Sequence, residues 1–240
     1  MAVALRGSGS NGGFGDSVTV TTSAGAVDGD LILIFVNTNN DVSGAHPTPA
    51  ASGFTSLGSS TASVWSRTTV LGRIASGNGS SYTITGIGTV NNAEVAVVIL
   101  SGADSALPTN IVTTPDASSN TTFSIPAITN AAANSLDVAC VGYGGNVDQG
   151  LPPNLSGWGG SLTGLIDDAF NVGGGNCYAG LGVATATRAS SGSQAATSVT
   201  AAVADVNAAI RIEVLVAGGA TATSDPPPRQ LRMPLAILAR

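Results

Sequence analysis

Short, nearly continuous apolar runs recur in the same order in the two halves of the chain and predict its architecture. The first half contains Leu31-Ile-Leu-Ile-Phe-Val36 and Glu94-Val-Ala-Val-Val-Ile-Leu100. The second half contains Leu136-Asp-Val-Ala-Cys-Val141 and Ile210-Arg-Ile-Glu-Val-Leu-Val216. Short apolar runs bounded by turn residues are typical of strands buried in a sandwich core or covered on both faces. The pattern therefore predicts an all-β protein.

The two halves align as diverged copies of one unit. Four matches occur in order, and the separation between the matched residues rises from 104–105 to 115–116. This rise predicts a single insertion of about eleven residues, within Gly159 to Gly175, where a loop would accept it. The matches are Leu31–Val36 with Leu136–Val141, Ser52–Phe54 with Ser156–Trp158, Arg73 with Arg188, and Val98–Gly102 with Val214–Gly218.

Turn signals every 8–12 residues favour a β-sandwich or barrel over a parallel fold. We expect residues 16–219 to form a β-sandwich from halves 16–104 and 121–219. Pro108 and Pro115 should keep the connection between the halves out of the sheets. Two small domains in tandem are the alternative to one shared sandwich. The Ala-rich residues 193–209 are predicted to be strand, because Thr and Val recur within them.

The two ends of the chain differ in character from the middle. Residues 1–15 are rich in Gly and Ser, which predicts a flexible arm. Residues 220–240 contain a linker, the stiff Pro226-Pro-Pro228 segment and an apolar extended tail. Such a tail suits docking on a neighbouring subunit or back on its own sandwich. Its candidate docking residues are Leu231, Met233, Leu235, Ile237 and Leu238.

Charge is sparse and excludes several functions. Charged residues make up 9% of the chain, against a usual ~25%. The cations are eight Arg with no Lys, which removes P-loop and Schiff-base chemistry. A net charge of −6 argues against nucleic-acid binding, which depends on neutralising phosphates. No apolar run approaches a membrane span, and the N-terminus lacks the apolar core of a signal peptide.

No set of residues predicts catalysis, a cofactor or a metal. His46 is the only histidine, and it precedes a proline in a polar loop. Glu94 and Glu213 occupy different positions of the aligned strands, and Glu213 is expected to pair with Arg211 on a solvent-facing side. The acidic pairs Asp167-Asp168 and Asp28/Asp30 lack the ligand density of a calcium loop. We therefore expect a protein that is not an enzyme.

Aromatic residues leave a carbohydrate-binding module open as an alternative. Tyr143, in the glycine-rich stretch Gly142–Gly145, is the aromatic expected to project and contact a ligand. Trp158 aligns with Phe54, which indicates core packing instead. Cys140 and Cys177 form neither a metal site nor a C-x-x-C motif, and are expected to be buried free thiols, with a disulfide as the alternative.

The chain resembles virion structural proteins of tailed bacteriophages, of the capsid decoration (cement) or head and tail fibre type. The resemblance covers residues 16–219 and is one of composition and architecture. It implies a jelly-roll-like sandwich and a surface protein of the virion, made in the host cytoplasm, which associates with itself as a homo-oligomer, with a trimer favoured. The partners implied are other virion proteins such as the major capsid protein. Its features are Val27–Val36, the Ser52–Phe54 and Ser156–Trp158 segments, and strands ending in Ser101-Gly102 and Ala217-Gly218.

Overall fold

The computed structural model describes residues 2–40, 46–88, 91–145, 155–171 and 178–218. Within these ranges the regular elements are β-strands, and no helix there is long and apolar enough to cross a membrane. The first half contains β1 (Ala4–Phe14), β2 (Ser17–Ala26), β3 (Leu31–Asn40), β4 (Ala50–Ala51), β5 (Thr55–Ser63), β6 (Ser66–Ile74), β7 (Gly79–Thr85) and β8 (Asn91–Ser101). The second contains β9 (Ile111–Ile125), β10 (Ile128–Asn130), β11 (Ser135–Gly145), β12 (Leu155–Ser156), β13 (Thr163–Phe170), β14 (Tyr178–Arg188), β15 (Gly192–Gln194) and β16 (Thr197–Val214).

The first half is a β-sandwich of two antiparallel sheets. Its larger sheet, the first inner sheet, has the order β1-β8-β3-β6-β5, and its smaller sheet, the first outer sheet, has the order β2-β7-β4. The neighbours β1–β8, β2–β7 and β3–β6 are the pairs that form when an eight-stranded antiparallel ribbon is rolled up, as in a jelly roll. β5 departs from this scheme because it pairs with β6.

The second half has the same strand order. Its inner sheet runs β9-β16-β11-β14-β13. The end of β9 and the short β12 flank the beginning of β16 and form the second outer sheet. The Ala-rich stretch predicted as strand is therefore confirmed as part of β16, which runs through both sheets of this half.

The two inner sheets pack face to face, so the protein has four β-layers and three apolar cores. The central core lies between the inner sheets, and an outer core lies between the inner and outer sheets of each half. The all-β sandwich is thus confirmed. Each half has a core of its own, as tandem domains would, but the halves also share the central one.

This layering explains the continuous apolar run in β3. Leu31, Leu33 and Phe35 face the central core. The alternate residues, such as Ile32 and Ile34, face the first outer core. Successive side chains of a strand point to opposite faces, so a strand buried on both faces needs an apolar residue at every position.

Near the end of β3, the contact between the inner sheets changes from apolar to polar. The Asn37 side-chain amide donates to the carbonyl oxygens of Tyr143 and Gly180, at 2.8 and 2.9 Å. Thr68 donates to the Ala208 carbonyl at 2.8 Å. Both donors are buried, and these bonds link side chains of the first half to the backbone of the second.

The prediction of a flexible N-terminal arm was wrong for residues 4–14, which form β1. This strand pairs with β8 from Ala4 to Phe14 and covers an edge of the first inner sheet. Its glycines permit close approach to β2, since a Cβ at Gly7 would lie 2.7 Å from the Ala24 carbonyl oxygen. The glycines here serve packing, and the compositional rule for flexible segments did not anticipate that.

The predicted connection between the halves was also wrong in part. β9 begins at Ile111, before the expected start of the second half at residue 121, and contains Pro115. Pro115 lies opposite Ala208 of β16. β9 is an edge strand of its sheet, and an edge strand tolerates a proline because half of its backbone groups face away from the ladder.

Backbone pairing corrects the alignment of the last strands of the two halves. Leu31 pairs with Leu100, and Leu136 pairs with Val214, with all four side chains in the central core. The last strands therefore correspond at a separation of 114 residues, two fewer than the sequence alignment gave.

A bulge that β5 and β13 share provides a landmark for aligning the halves. The additional residues of the second half fall on both sides of this landmark. β5 bulges at Leu57 and β13 at Leu165, and both leucines pack against the central core. Counted from Leu31 and Leu136, the second half has three additional residues before the bulge of β13 and five between that bulge and the end of β14, in place of one insertion of about eleven. The duplication stays a prediction, and the strand order and bulge are what the halves share.

Candidate functional site

Tyr143, the predicted ligand contact, is fully buried, so that prediction was wrong. It lies on β11 with its ring in the second outer core, 5.6 Å from the Phe123 ring. Its hydroxyl donates to the Asp167 carboxylate at 3.3 Å, and burial raises the pKa of that hydroxyl. Gly180 makes room for the ring, since a Cβ there would overlap it. The glycine-rich sequence around Tyr143 reflects this packing.

A second tyrosine–carboxylate pair lies beside the first. The Tyr178 hydroxyl donates to the Asp205 carboxylate, which also accepts the Val206 amide at 2.8 Å. Burial raises the pKa of Asp205 to about 6. Trp158 packs against this second outer core, and Phe54 packs against the first. The aromatics described so far therefore serve the cores.

Glu94 lies between the inner sheets with 1% of its surface exposed. Burial, and then the negative charge of Asp168, raises its pKa to about 9, so Glu94 is protonated at neutral pH. Asp168 accepts hydrogen bonds from the Ser10 hydroxyl at 2.8 Å and from the Ala169 amide at 2.9 Å. A carboxyl sealed between two sheets is a poor candidate for acid–base work on a substrate.

The expected solvent-facing pair between Glu213 and Arg211 was wrong, because both side chains are only 1% exposed and bind other groups. Glu213 accepts the amides of Ala131 and Ala132 at 2.9 and 3.1 Å, and the Asn110 side chain at 2.7 Å. The carboxylate thus holds the turn before β11. Sequence spacing indicated a shared strand face but gave no information on what covers it.

Asp137 forms a buried ionic cluster that sequence reasoning missed. Its carboxylate lies 2.7 Å from the Arg188 guanidinium and 2.7 Å from that of Arg211. Arg211 also donates to the carbonyl oxygens of Pro126 and Ala195, so the cluster ties β11, β14 and β16 to the neighbouring loops. The available signal was a charged residue within each of two apolar runs, Asp137 and Arg211.

His46 lies in a polar loop and contacts other groups through both ring nitrogens. Nε2 donates to the Ser63 carbonyl at 2.7 Å, and Nδ1 lies 3.3 Å from the Thr38 hydroxyl. Burial lowers its pKa, which favours the neutral ring. The two contacts hold His46 on the first inner sheet.

The described surface contains an apolar groove at the end of the molecule where β8 and β16 finish, which we call the exit groove. Its volume is about 200 Å³. The strand ends meet there, since the Asp104 amide donates to the Leu215 carbonyl at 2.8 Å and the Ala217 amide to the Gly102 carbonyl at 2.9 Å. The lining residues used below are Ala103, Asp104, Ala106, Leu107, Val214 and Leu215.

Several predicted residues lie outside the described part of the chain. These include Cys177 and the five tail residues Leu231, Met233, Leu235, Ile237 and Leu238. Cys140 is a buried free thiol in the central core. Among the described residues, no three His, Cys, Asp or Glu side chains are grouped so as to hold a metal ion.

Comparison of the chain with protein-family models, characterised proteins and solved structures found no significant match.

Proposed function

We propose that the protein is a non-enzymatic structural protein of the virion surface, most specifically a capsid decoration protein that stabilises neighbouring subunits. A fibre or tail component is the alternative within the same class. The partners proposed are further copies of the chain, with a trimer favoured, and other virion proteins such as the major capsid protein. The cytoplasm of the host is the proposed place of synthesis.

The observation that carries the proposal is the use made of the ionisable residues. Of the six carboxylates considered for chemistry, Asp28, Asp30 and Glu213 accept backbone amides. Asp167 accepts a tyrosine hydroxyl and Asp168 a serine hydroxyl. The sixth, Glu94, is sealed between the inner sheets. A four-layer scaffold whose carboxylates bind its own backbone and side chains suits a protein that bears load in an assembly.

A carbohydrate-binding module is the candidate from another class, and no described contact favours it. It required an exposed aromatic platform at Tyr143 or in the region Gly159 to Gly175. Tyr143 is buried, and Phe170, in the described part of that region, is partly covered and lies against Gly12.

Quantitative mass spectrometry of purified particles tests the proposed function. The particles are those encoded by the same genome as this chain, and an abundant host cytosolic protein serves as the control for contamination. We expect this chain in a copy number comparable with that of the major capsid protein, which is the stoichiometry of decoration. A far lower copy number that still exceeds the control would indicate the fibre or tail alternative. Absence from the particles would overturn the proposal.

A further inference from the structure

We propose that the exit groove binds the C-terminal tail, residues 229–240, of a second copy of this chain. The inference rests on the proposed structural function and names the contact by which copies associate. Three observations support the contact: an apolar groove of limited size, a tail whose apolar and charged residues match that groove, and the direction in which the chain leaves the fold.

The groove accepts aliphatic side chains. Leu107, Val214 and Leu215 provide apolar walls, and the volume of about 200 Å³ has room for an aliphatic side chain or two. Leu107 is only partly buried, although it packs against the central core. The carboxylate of Asp104 gives the same groove an acidic lining residue.

The tail has the complementary chemistry. Leu231, Met233, Leu235 and Ile237 recur at every second position, which would place them on one face of an extended segment. Arg229, Arg232 and Arg240 are the charged residues of this segment, and no acidic residue follows Asp225. An apolar face flanked by cations complements an apolar groove with an acidic lining residue.

The exit direction favours a second copy over the same molecule. Leu215 lines the groove, whereas Val216, Ala217 and Gly218 line a separate depression beside Ala133, so the chain is leaving the groove when it ends its described course. Pro226-Pro-Pro228 favours a stiff extended conformation before the tail. A chain that keeps the direction it has at Gly218 moves towards a neighbour, whereas entry into its own groove requires a reversal.

A contact between the tail of one copy and the groove of the next is heterologous, and such contacts close into a ring when the rotation between copies allows it. Three copies closed in this way give the trimer favoured under the proposed function. Each copy then uses one groove and one tail.

Two full-length variants with matched controls test the contact. Ala106→Arg places a bulky cation in the groove at an exposed position, and Ser105→Arg adds the same charge at the exposed neighbour, which is not a lining residue. Leu235→Arg disrupts the apolar face of the tail, and Ala236→Arg adds the same charge on the opposite face. By light scattering we expect trimers for wild type, Ser105→Arg and Ala236→Arg, and monomers for Ala106→Arg and Leu235→Arg.

Mixing the two monomeric variants tests the contact directly. Ala106→Arg retains an intact tail, and Leu235→Arg retains an intact groove, so a mixture should form a heterodimer with one tail–groove contact. A mixture that stays monomeric, an Ala106→Arg protein that stays trimeric, or a monomeric wild type would each overturn the inference. Circular dichroism of each variant checks the fold. The composition of virions reports separately on the proposed function, so either result can fail without the other.

Discussion

At the residue scale, Asp137 carries the largest concentration of buried charge in the described structure. One carboxylate pairs with two guanidinium groups, those of Arg188 and Arg211, inside the second half. The Asn130 side chain donates to its other oxygen at 2.7 Å. Buried charges are tolerated when they are paired and hydrogen-bonded, and removing one partner leaves the others without compensation.

Replacing Asp137 with Ala should therefore destabilise the fold by about 3–5 kcal/mol, because two arginines would remain buried without a carboxylate. Urea unfolding followed by tryptophan fluorescence measures the loss. Asp16→Ala, at an exposed position, is the matched control and should stay within about 0.5 kcal/mol of wild type. An Asp137→Ala protein as stable as the control would show that the cluster contributes little.

Glu94 should make stability depend on pH. Its pKa is about 9 in the folded protein, against 4.5 as the ordinary value. Between these values the unfolded chain loses the proton and the folded protein keeps it. Folding therefore becomes less favourable as pH rises, by at most about 1.4 kcal/mol per pH unit. Glu94→Gln cannot ionise, so its Tm should match that of wild type near pH 4. The Tm of the variant should then exceed that of wild type by an amount that grows up to pH 9.

Thermal unfolding at pH 4, 6.5 and 9 checks this prediction. The informative quantity is the difference in Tm between Glu94→Gln and wild type at each pH. Asp16→Asn provides an exposed carboxyl control, for which the difference should stay small throughout. A difference for Glu94→Gln that is the same at all three pH values would contradict burial of an ionisable group at this position.

At the element scale, glycines set the distance between neighbouring strands. Gly142 and Gly144 of β11 face the first inner sheet where polar bonds cross between the halves. A Cβ at Gly144 would lie 2.6 and 2.7 Å from the carbonyl oxygens of Trp65 and Tyr178. Trp65 lies in the tight turn between β5 and β6 and Tyr178 begins β14, and backbone atoms there cannot move aside easily, so this position requires glycine for space.

Gly144→Ala should destabilise the protein by about 1–3 kcal/mol, the usual cost of overpacking. Gly79→Ala is the matched control, because Gly79 has open space around its Cβ position and no positive φ. Differential scanning calorimetry of both variants measures the effect. Equal Tm values for the two variants would contradict the close approach of the inner sheets at β11.

The elements also indicate how much the sequence could predict. The continuous apolar runs identified β3, β8, β11 and the end of β16, because strands covered on both faces cannot contain many polar residues. β1 escaped prediction, since its Gly- and Ser-rich composition matches that of a flexible segment. Close packing of strands and flexibility of a segment both favour Gly and Ser, so composition alone does not tell the two apart. The presence of a neighbouring strand does.

Prediction of the candidate sites failed for a related reason. The pattern around Tyr143 indicated a projecting aromatic, and the spacing of Arg211 and Glu213 indicated a surface pair. The first inference treated the glycine-rich stretch as a loop, and the second assumed that one face of the strand met solvent. The second outer core encloses Tyr143, while the loops at Pro126 and Ala195 cover Arg211 and the turn at Ala131 covers Glu213. The pattern within a single strand does not reveal which other segments will cover it.

At the scale of the whole molecule, the central core joins two sandwiches into one body. Each half contributes a complete inner sheet, and each keeps an outer core that the other does not contact. All described members of the three cores lie between Val3 and Val216. Association of copies through residues 219–240, which lie outside the described structure, is the central proposal for the assembled protein.

Light scattering of two proteins, the full chain and a chain that ends at Thr221, tests this claim most directly. The shorter chain keeps every core residue that the structure describes, so we expect circular dichroism to show the same strand content for both. We predict a trimer for the full chain and a monomer for the shorter one. The same number of subunits in both proteins would contradict an assembly held together by the tail.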